Sequence, residues 1–256
     1  MNKPNDLNLE LIPQSKWMAR STLGHFKRDD IPVSATQRIM LAQPGILRTL
    51  SKAFEPVSRD AYYIGTDARR ILTDRVSAKI YQEDEIFKAE TAVNSHLERI
   101  NDFFDRRIQQ AETRLRSAGY DPDGIKQNTK VYEAISTSRT ATEYLNIVKK
   151  ADLYAGLNEY LSIVGELSDS PNESQKAKLN NEREIRGHLF SITRLTSKHF
   201  QLIRRICHGV MDQRREERTK QSERDKRRTK EGKGKAISKT QKEMDTLAQQ
   251  PAQATA

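Results

Sequence analysis

A single cysteine, Cys207, in 256 residues excludes an intramolecular disulfide and any cysteine-based zinc cluster, and makes a reducing compartment the natural one. No apolar run approaches the ~18 residues needed to span a bilayer, and the opening stretch MNKPNDLNLELIP has no apolar signal core. The chain is therefore expected to be soluble and cytoplasmic, with no membrane partner. Hydrophobic residues make up 35% against 31% charged, and mean hydropathy is -0.82. That balance disfavours a fold buried on all sides and favours long helices with one apolar stripe each. There is no Walker-type phosphate loop, no dinucleotide glycine fingerprint, no HExxH and no GxSxG. Five histidines, His25, His96, His188, His199 and His208, are scattered. His188 and His199 would share a helix face but stand about 16 Å apart at the helical rise, too far for one metal. No enzyme, cofactor or metal site is expected.

What the chain does have is unevenly placed charge. Arg204 to Lys242 holds 15 basic and 6 acidic residues, a net of +9, while the rest carries 30 against 29. A balanced body with a cationic C-terminal stretch is the layout of a protein that grips a polyanion, because Lys and Arg on phosphates release condensed counterions. DNA or RNA is the expected partner. The densest cations, Arg214, Arg215, Arg218, Lys220, Arg224, Lys226, Arg227 and Arg228, are candidates for phosphate contacts. The competing reading is a solvated tail that binds nothing specific.

Periodicity gives the elements. Leu7, Leu9 and Leu11 alternate with polar residues as a short strand ending at Pro13, and Trp17 is expected to dock on the body. Ser34 could cap a short helix through Leu41, and Pro44 could open another through Phe54, stopped by Pro56. Ala61 to Thr66 is rich in β formers, and Asp67 to Leu72 reads as a helix start. From Glu83, a stripe of Val93, Leu97, Ile100, Phe104, Ile108, Ala111 and Leu115 predicts a long helix ended by Gly119 and the Asp121–Gly124 turn. The acids Glu83, Asp84 and Glu85 suit its dipole.

Thr140 to Leu167 carries a second stripe, including Tyr144, Ile147, Val148, Ala151, Tyr154, Leu157, Leu161 and Val164. Ser174 can cap a third helix that buries Ile185, Leu189, Ile192, Leu195, Leu202, Ile203, Ile206 and Val210, with Cys207 as a buried thiol. The expected fold is mainly α: a long-helix bundle with a short strand and a disordered basic tail from about Gly232. The organisation this predicts is an N-terminal arm and short helices over 1–57, a strand-helix-helix unit over 58–118, a helical hairpin over 125–215 and the tail over 216–256. No internal repeat is visible. Tyr62, Tyr63 and Tyr81 lie near Arg59, Arg69, Arg70 and Arg75, a mixture useful on nucleic-acid surfaces, although packing of at least two tyrosines in the core is as well supported.

The junction Ala61-Tyr62-Tyr63-Ile64-Gly65-Thr66-Asp67-Ala68-Arg69-Arg70-Ile71-Leu72, followed by a long charged helix and a C-terminal helical pair, resembles the AcaB-type regulators of conjugative plasmids and integrative conjugative elements. The resemblance spans about Arg59 to Val210. It implies a dimeric transcriptional activator of conjugative transfer genes, with the transcription machinery as a further partner and a ribbon-helix-helix-like unit on DNA. The ribbon would then be Ala61 to Thr66, pairing between two subunits in the major groove, with the first helix running from Asp67 to about Tyr81 and the second from Glu83. Bases would be met by Tyr63, Gly65 and Asp67 on one face or Tyr62, Ile64 and Thr66 on the other, and phosphates by Arg59, Arg69 and Arg70. One departure is clear: the acids Glu83, Asp84 and Glu85 would repel phosphate at the second helix's start. The alternative is a helical scaffold or accessory protein of a conjugation or nucleic-acid-processing complex, with a non-specific basic tail.

Overall fold

The computed structural model describes residues 10–11, 35–74, 79–80, 83–124, 128–168 and 170–248. The chain divides into two units, 1–207 and 208–256. The first contains strands β1 (Glu10–Leu11) and β2 (Ala35–Leu41), helix α1 (Pro44–Tyr62), a π turn over Tyr63–Asp67 and helix α2 (Ala68–Leu72). A small hairpin of β3 (Thr73–Asp74) and β4 (Lys79–Ile80) leads to α3 (Glu83–Ser117), followed by a 3₁₀ turn at Pro122–Gly124, β5 (Lys130–Ser136) and α4 (Arg139–Ile163). The last element, α5 (Pro171–Ala248), begins in the first unit and supplies the described part of the second. The expectation of a mainly helical chain with long helices holds. Of the first expected strand, only Glu10–Leu11 is described, paired parallel to β5; Leu7, Leu9 and Trp17 lie outside the described residues.

Several local expectations are corrected. Ala35–Leu41 is a strand, not a helix capped by Ser34: Ile39 and Leu41 face the core while Arg38 and Met40 face outward, a period of two hidden by the apolar run Ile39-Met40-Leu41. Pro56 does not stop α1, because the buried stripe Ala53, Phe54, Val57 and Ala61 continues past it, and the carbonyl it frees belongs to Lys52, on an exposed turn. Ala61 to Thr66 is not a strand. It is the end of α1 and a π turn, closed by the Ala68 N–H on the Tyr63 carbonyl. Tyr62, Tyr63 and Ile64 are all buried, continuing a buried run that begins at Asp60 and Ala61 within α1. The helix that follows ends at Leu72 rather than near Tyr81, so the boundary drawn between 57 and 58 falls inside α1.

The long helices match their stripes. α3 ends in a Schellman motif, with Gly119 at φ 84°, the Tyr120 N–H on the Leu115 carbonyl (2.9 Å) and the Gly119 N–H on that of Arg116. α4 ends the same way at Gly165, with the Glu166 N–H on the Leu161 carbonyl (2.8 Å). Ser170 rather than Ser174 caps α5, accepting from the Glu173 N–H (3.3 Å). Leu202 is 44% exposed; Phe200, Ile203 and Cys207 hold the buried stripe there. α5 runs on to Ala248, so the stretch from Gly232 is helical. Once the packed half has nucleated the helix, Lys-, Arg-, Glu- and Gln-rich residues extend it at little cost.

A similar order of elements recurs around two strands of the first unit. β2 and β5 are each seven residues long and each is followed by a two-residue connector (Ala42-Gln43 and Thr137-Ser138) and a helix; a longer helix comes next, after the π turn, α2 and the β3–β4 hairpin in the first case and after a short loop in the second. The two strands pair antiparallel along their whole length, from Ala35↔Ser136 to Leu41↔Lys130. One core follows: Ile39, Leu41, Tyr132 and Ala134 of the ribbon meet Leu50 and Phe54 of α1, Phe104 of α3, Tyr144 and Val148 of α4, and Leu189 of α5. The region expected to be a helical hairpin over 125–215 therefore includes a strand.

Each half also anchors the other's connector. The Asp152 carboxylate of α4 accepts from the Ala42 N–H (2.8 Å) and the Gln43 N–H (2.9 Å), while Ser58 of α1 shares a hydrogen bond with Thr137 (3.3 Å). Burial pushes the Asp152 carboxyl above its usual range, and the two backbone donors pull it back. Asp152→Ala removes both acceptors at once and is expected to destabilise the protein by about 2–4 kcal/mol, read as a fall in the denaturant midpoint at unchanged slope. An unshifted midpoint would show that the connector holds without this carboxylate.

Candidate nucleic-acid interface

The outward face of the ribbon is built by alternation. On β2, Gln37 turns toward α4, donating to Asn146 (3.1 Å), and Ile39 and Leu41 enter the core. Arg38 is exposed, Met40 is 62% exposed, and Val131 of β5, paired with Met40, is half-buried. β5 lies between β1 and β2, so the far edge of β2 has no strand partner among the described residues. In register, Arg38 stands opposite Glu133 of β5, so this face carries charge of both signs beside its apolar residues; a pair of antiparallel strands has the dimensions that enter a major groove.

The residues expected to form the ribbon are elsewhere. Tyr62, Tyr63 and Ile64 are buried and Thr66 is half-buried. Tyr63 meets Phe200 of α5 edge-on (5.0 Å between rings), and its hydroxyl lies beside the Cys207 thiol without a conventional hydrogen-bond partner. Burial raises both the Tyr63 hydroxyl and the Cys207 thiol above their ordinary ranges, so this thiol is a packing group and not a nucleophile. Arg59 donates to the buried Asp60 carboxylate (2.8 Å), which also accepts from Ser197 (2.5 Å). Arg69 is bonded to Glu90 (2.6 Å), and Gly65 leaves room for that carboxylate, since a Cβ there would lie 3.3 Å from Glu90 Oε1. Arg70 is exposed. The motif therefore serves the junction between helices.

Arg215, Arg218, Lys220, Arg224, Lys226, Arg227 and Arg228 of α5 are exposed, and Arg214 is half-buried. Lys220 lies 3.8 Å from Glu216, both more than two-thirds exposed, an arrangement worth little in water. With the apolar stripe finished, this length is polar all round, as a helix that meets a polyanion or solvent must be. The starts of α3 and α5 are ill suited to phosphate, whereas that of α4 carries no acid in its first turn. Glu85 at the start of α3 pairs with Lys88 (2.6 Å), and Glu173 at the start of α5 accepts from Ser168 (3.3 Å). Among the described residues, no three His, Cys, Asp or Glu side chains are placed to hold a metal ion.

Sequence reasoning missed Arg38 and the ribbon that carries it. The signal lay in β5, where Val131-Tyr132-Glu133-Ala134-Ile135 is a run of mainly β-forming residues between the Asp121–Gly124 turn and Ser138. Ser138 caps α4 by accepting from the Ala141 N–H (3.1 Å). For Tyr63 the expectation is structural. Tyr63→Phe should change stability by less than about 1 kcal/mol, since the hydroxyl gains no conventional bond, and Tyr63→Ala should cost about 3–5 kcal/mol through the cavity it leaves. Equal denaturation midpoints for Tyr63→Ala and the parent protein would overturn the core assignment.

No family model matches the chain, and no curated protein matches it in sequence. Its fold is similar to that in the crystal structure of selenomethionine-containing AcaB from uropathogenic E. coli, with a TM-score of 0.58 and 17% identity over 69% of this chain and 84% of that one. At this identity the likeness is one of fold, and the fold of this chain is AcaB-like.

Proposed function

We propose that this chain is a DNA-binding transcriptional regulator, an activator of conjugative transfer genes of the AcaB type. The observation that carries the reading is the β2–β5 ribbon with a strand-helix-helix half on each strand, the ribbon-helix-helix arrangement assembled within one chain. In this reading Arg38 and Met40 meet base edges, and the exposed cations of α5 between Arg214 and Arg228 neutralise phosphates. The ribbon that was expected to need two subunits is complete in one, so a homodimer serves to align two ribbons on adjacent half-sites. The acids at the starts of α3 and α5 support phosphate contacts made elsewhere, on α5. Acting on transcription, the protein would also contact the transcription machinery.

The test is a salt titration of binding to genomic DNA fragments, with sequencing of those retained at physiological salt. Enrichment of a short sequence is expected, and Arg38→Ala should reduce discrimination between that sequence and random DNA by about 1–3 kcal/mol with the fold intact. Truncation after Met211 should weaken binding to all sequences alike and flatten its salt dependence. Uniform retention that collapses with salt would replace this reading with that of a helical accessory protein carrying a non-specific basic segment.

A further inference from the structure

A groove of about 590 Å³ lies between the first turns of α1, the second half of α4 and the early turns of α5. That volume falls in the range of sites for discrete small molecules. Its floor is apolar, made by Ile46, Ala155, Ile185 and Phe190. Above the floor the side-chain amides are already organised: Asn181 donates to Asn158 (3.1 Å), Asn158 to the Tyr154 carbonyl (3.0 Å), and Gln43 to Glu159 (3.0 Å). Such mutual bonding fixes polar groups before anything binds, which lowers the entropy lost on binding.

The rim is cationic from both sides. Arg48 and Lys52, one turn apart on α1, form one wall, and Lys178 and Arg186 of α5 the other, against Glu159 and Glu182. Lys178 is neutralised by Glu159 (3.2 Å), whose carboxyl is held below its usual range by the Gln43 and Lys178 hydrogen bonds. Glu182 alone then faces Arg48, Lys52 and Arg186. Neither Arg48 nor Lys52 makes an ion pair among the described residues. The adjoining first turn of α1 carries no acidic residue of its own, but the Asp152 carboxylate already takes the Ala42 and Gln43 N–H groups, so the positive field of the groove comes from the rim cations.

From this geometry we infer that the groove binds a small organic anion with an apolar or aromatic body, its acid group held by Arg48 and Lys52 and its body on Phe190, Ile185 and Ile46. A bare metal cation is disfavoured by the surplus of positive charge, and inorganic phosphate would leave the apolar floor unused. A DNA backbone offers the acid but not the apolar body. The assignment is independent of the DNA reading, so each can fail without the other.

The probe is 8-anilinonaphthalene-1-sulfonate, which joins an aromatic body to one anion, titrated into the full chain by fluorescence and calorimetry. One saturable site per chain is expected. Arg48→Ala/Lys52→Ala should weaken it by about tenfold or more, Arg186→Ala should weaken it from the opposite wall, and the neutral analogue N-phenyl-1-naphthylamine should bind at least about tenfold less tightly. Circular dichroism and melting of these exposed-site variants should match those of the parent protein. Unsaturable or multiple uptake, equal binding by the Arg48/Lys52 variant, or equal binding of the neutral analogue would overturn the inference. Stoichiometric displacement by a short DNA duplex would overturn it too, assigning the groove to the DNA backbone.

Discussion

The pairing of Ala35–Leu41 with Lys130–Ser136 is the constraint on which the first unit depends. Neither strand has a neighbour in sequence to pair with, and an isolated two-stranded ribbon is marginal in water. It persists because its inner face, through Ile39, Leu41, Tyr132 and Ala134, is buried under α1 and α4, and because both connectors are tied down, at Asp152 and at Ser58. A slip of one residue would turn Ile39 and Leu41 to solvent and bring Arg38 and Met40 inward, so the core fixes the register. The closure joins the two halves of the unit, which means that both must be partly formed before the ribbon rewards the entropy of bringing them together.

What could be read from the sequence follows from how each element is buried. α3, α4 and the first half of α5 bury apolar residues over many turns, and their stripes at spacings of three and four stood out, as did the glycine-capped end at Gly119, whereas the cap at Gly165, inside the expected span of α4, did not. The ribbon did not stand out, because Met40 places an apolar residue on the outer face between Ile39 and Leu41 and erases the alternation. The opposite error arose at Tyr62-Tyr63-Ile64. Three consecutive buried β formers imitate a strand, but here they continue a buried run that begins at Asp60 within α1, where the helix is packed on more than one side and Tyr63 meets Phe200. The motif that carries the resemblance is therefore helical, and the AcaB-like fold rests on other elements.

Charge in the sequence located a cationic stretch but not a site. Arg59 and Arg69 looked available until their carboxylate partners, Asp60 and Glu90, were seen, and neither pairing leaves a sequence signal beyond chance proximity of opposite charges. The cationic excess that remains accessible lies on α5 between Arg214 and Arg228, spread around the helix rather than along one face. Such a distribution neutralises phosphates without distinguishing one sequence from another. On the proposed reading, discrimination comes from a rigid element with few side chains, which the ribbon provides and the helix does not.

A ribbon made by two identical subunits presents each residue twice, and its preferred site is correspondingly symmetric. Here the two strands differ: Arg38 and Met40 project from one, and Val131 from the other. The halves differ behind the ribbon as well. Ser138 caps the helix after β5, whereas the helix after β2 starts at Gln43 and Pro44 without a side-chain cap and opens onto the cationic groove. On the proposed reading, a single-chain ribbon is free to read two unequal half-sites, with the charge-bearing contact concentrated on β2. The same inequality leaves the start of α1, and not that of α4, exposed to a small anion. On the same reading, two unlike strand-helix halves in one chain give up the economy of symmetry, and one half can specialise in bases while the helix behind it carries a separate ligand.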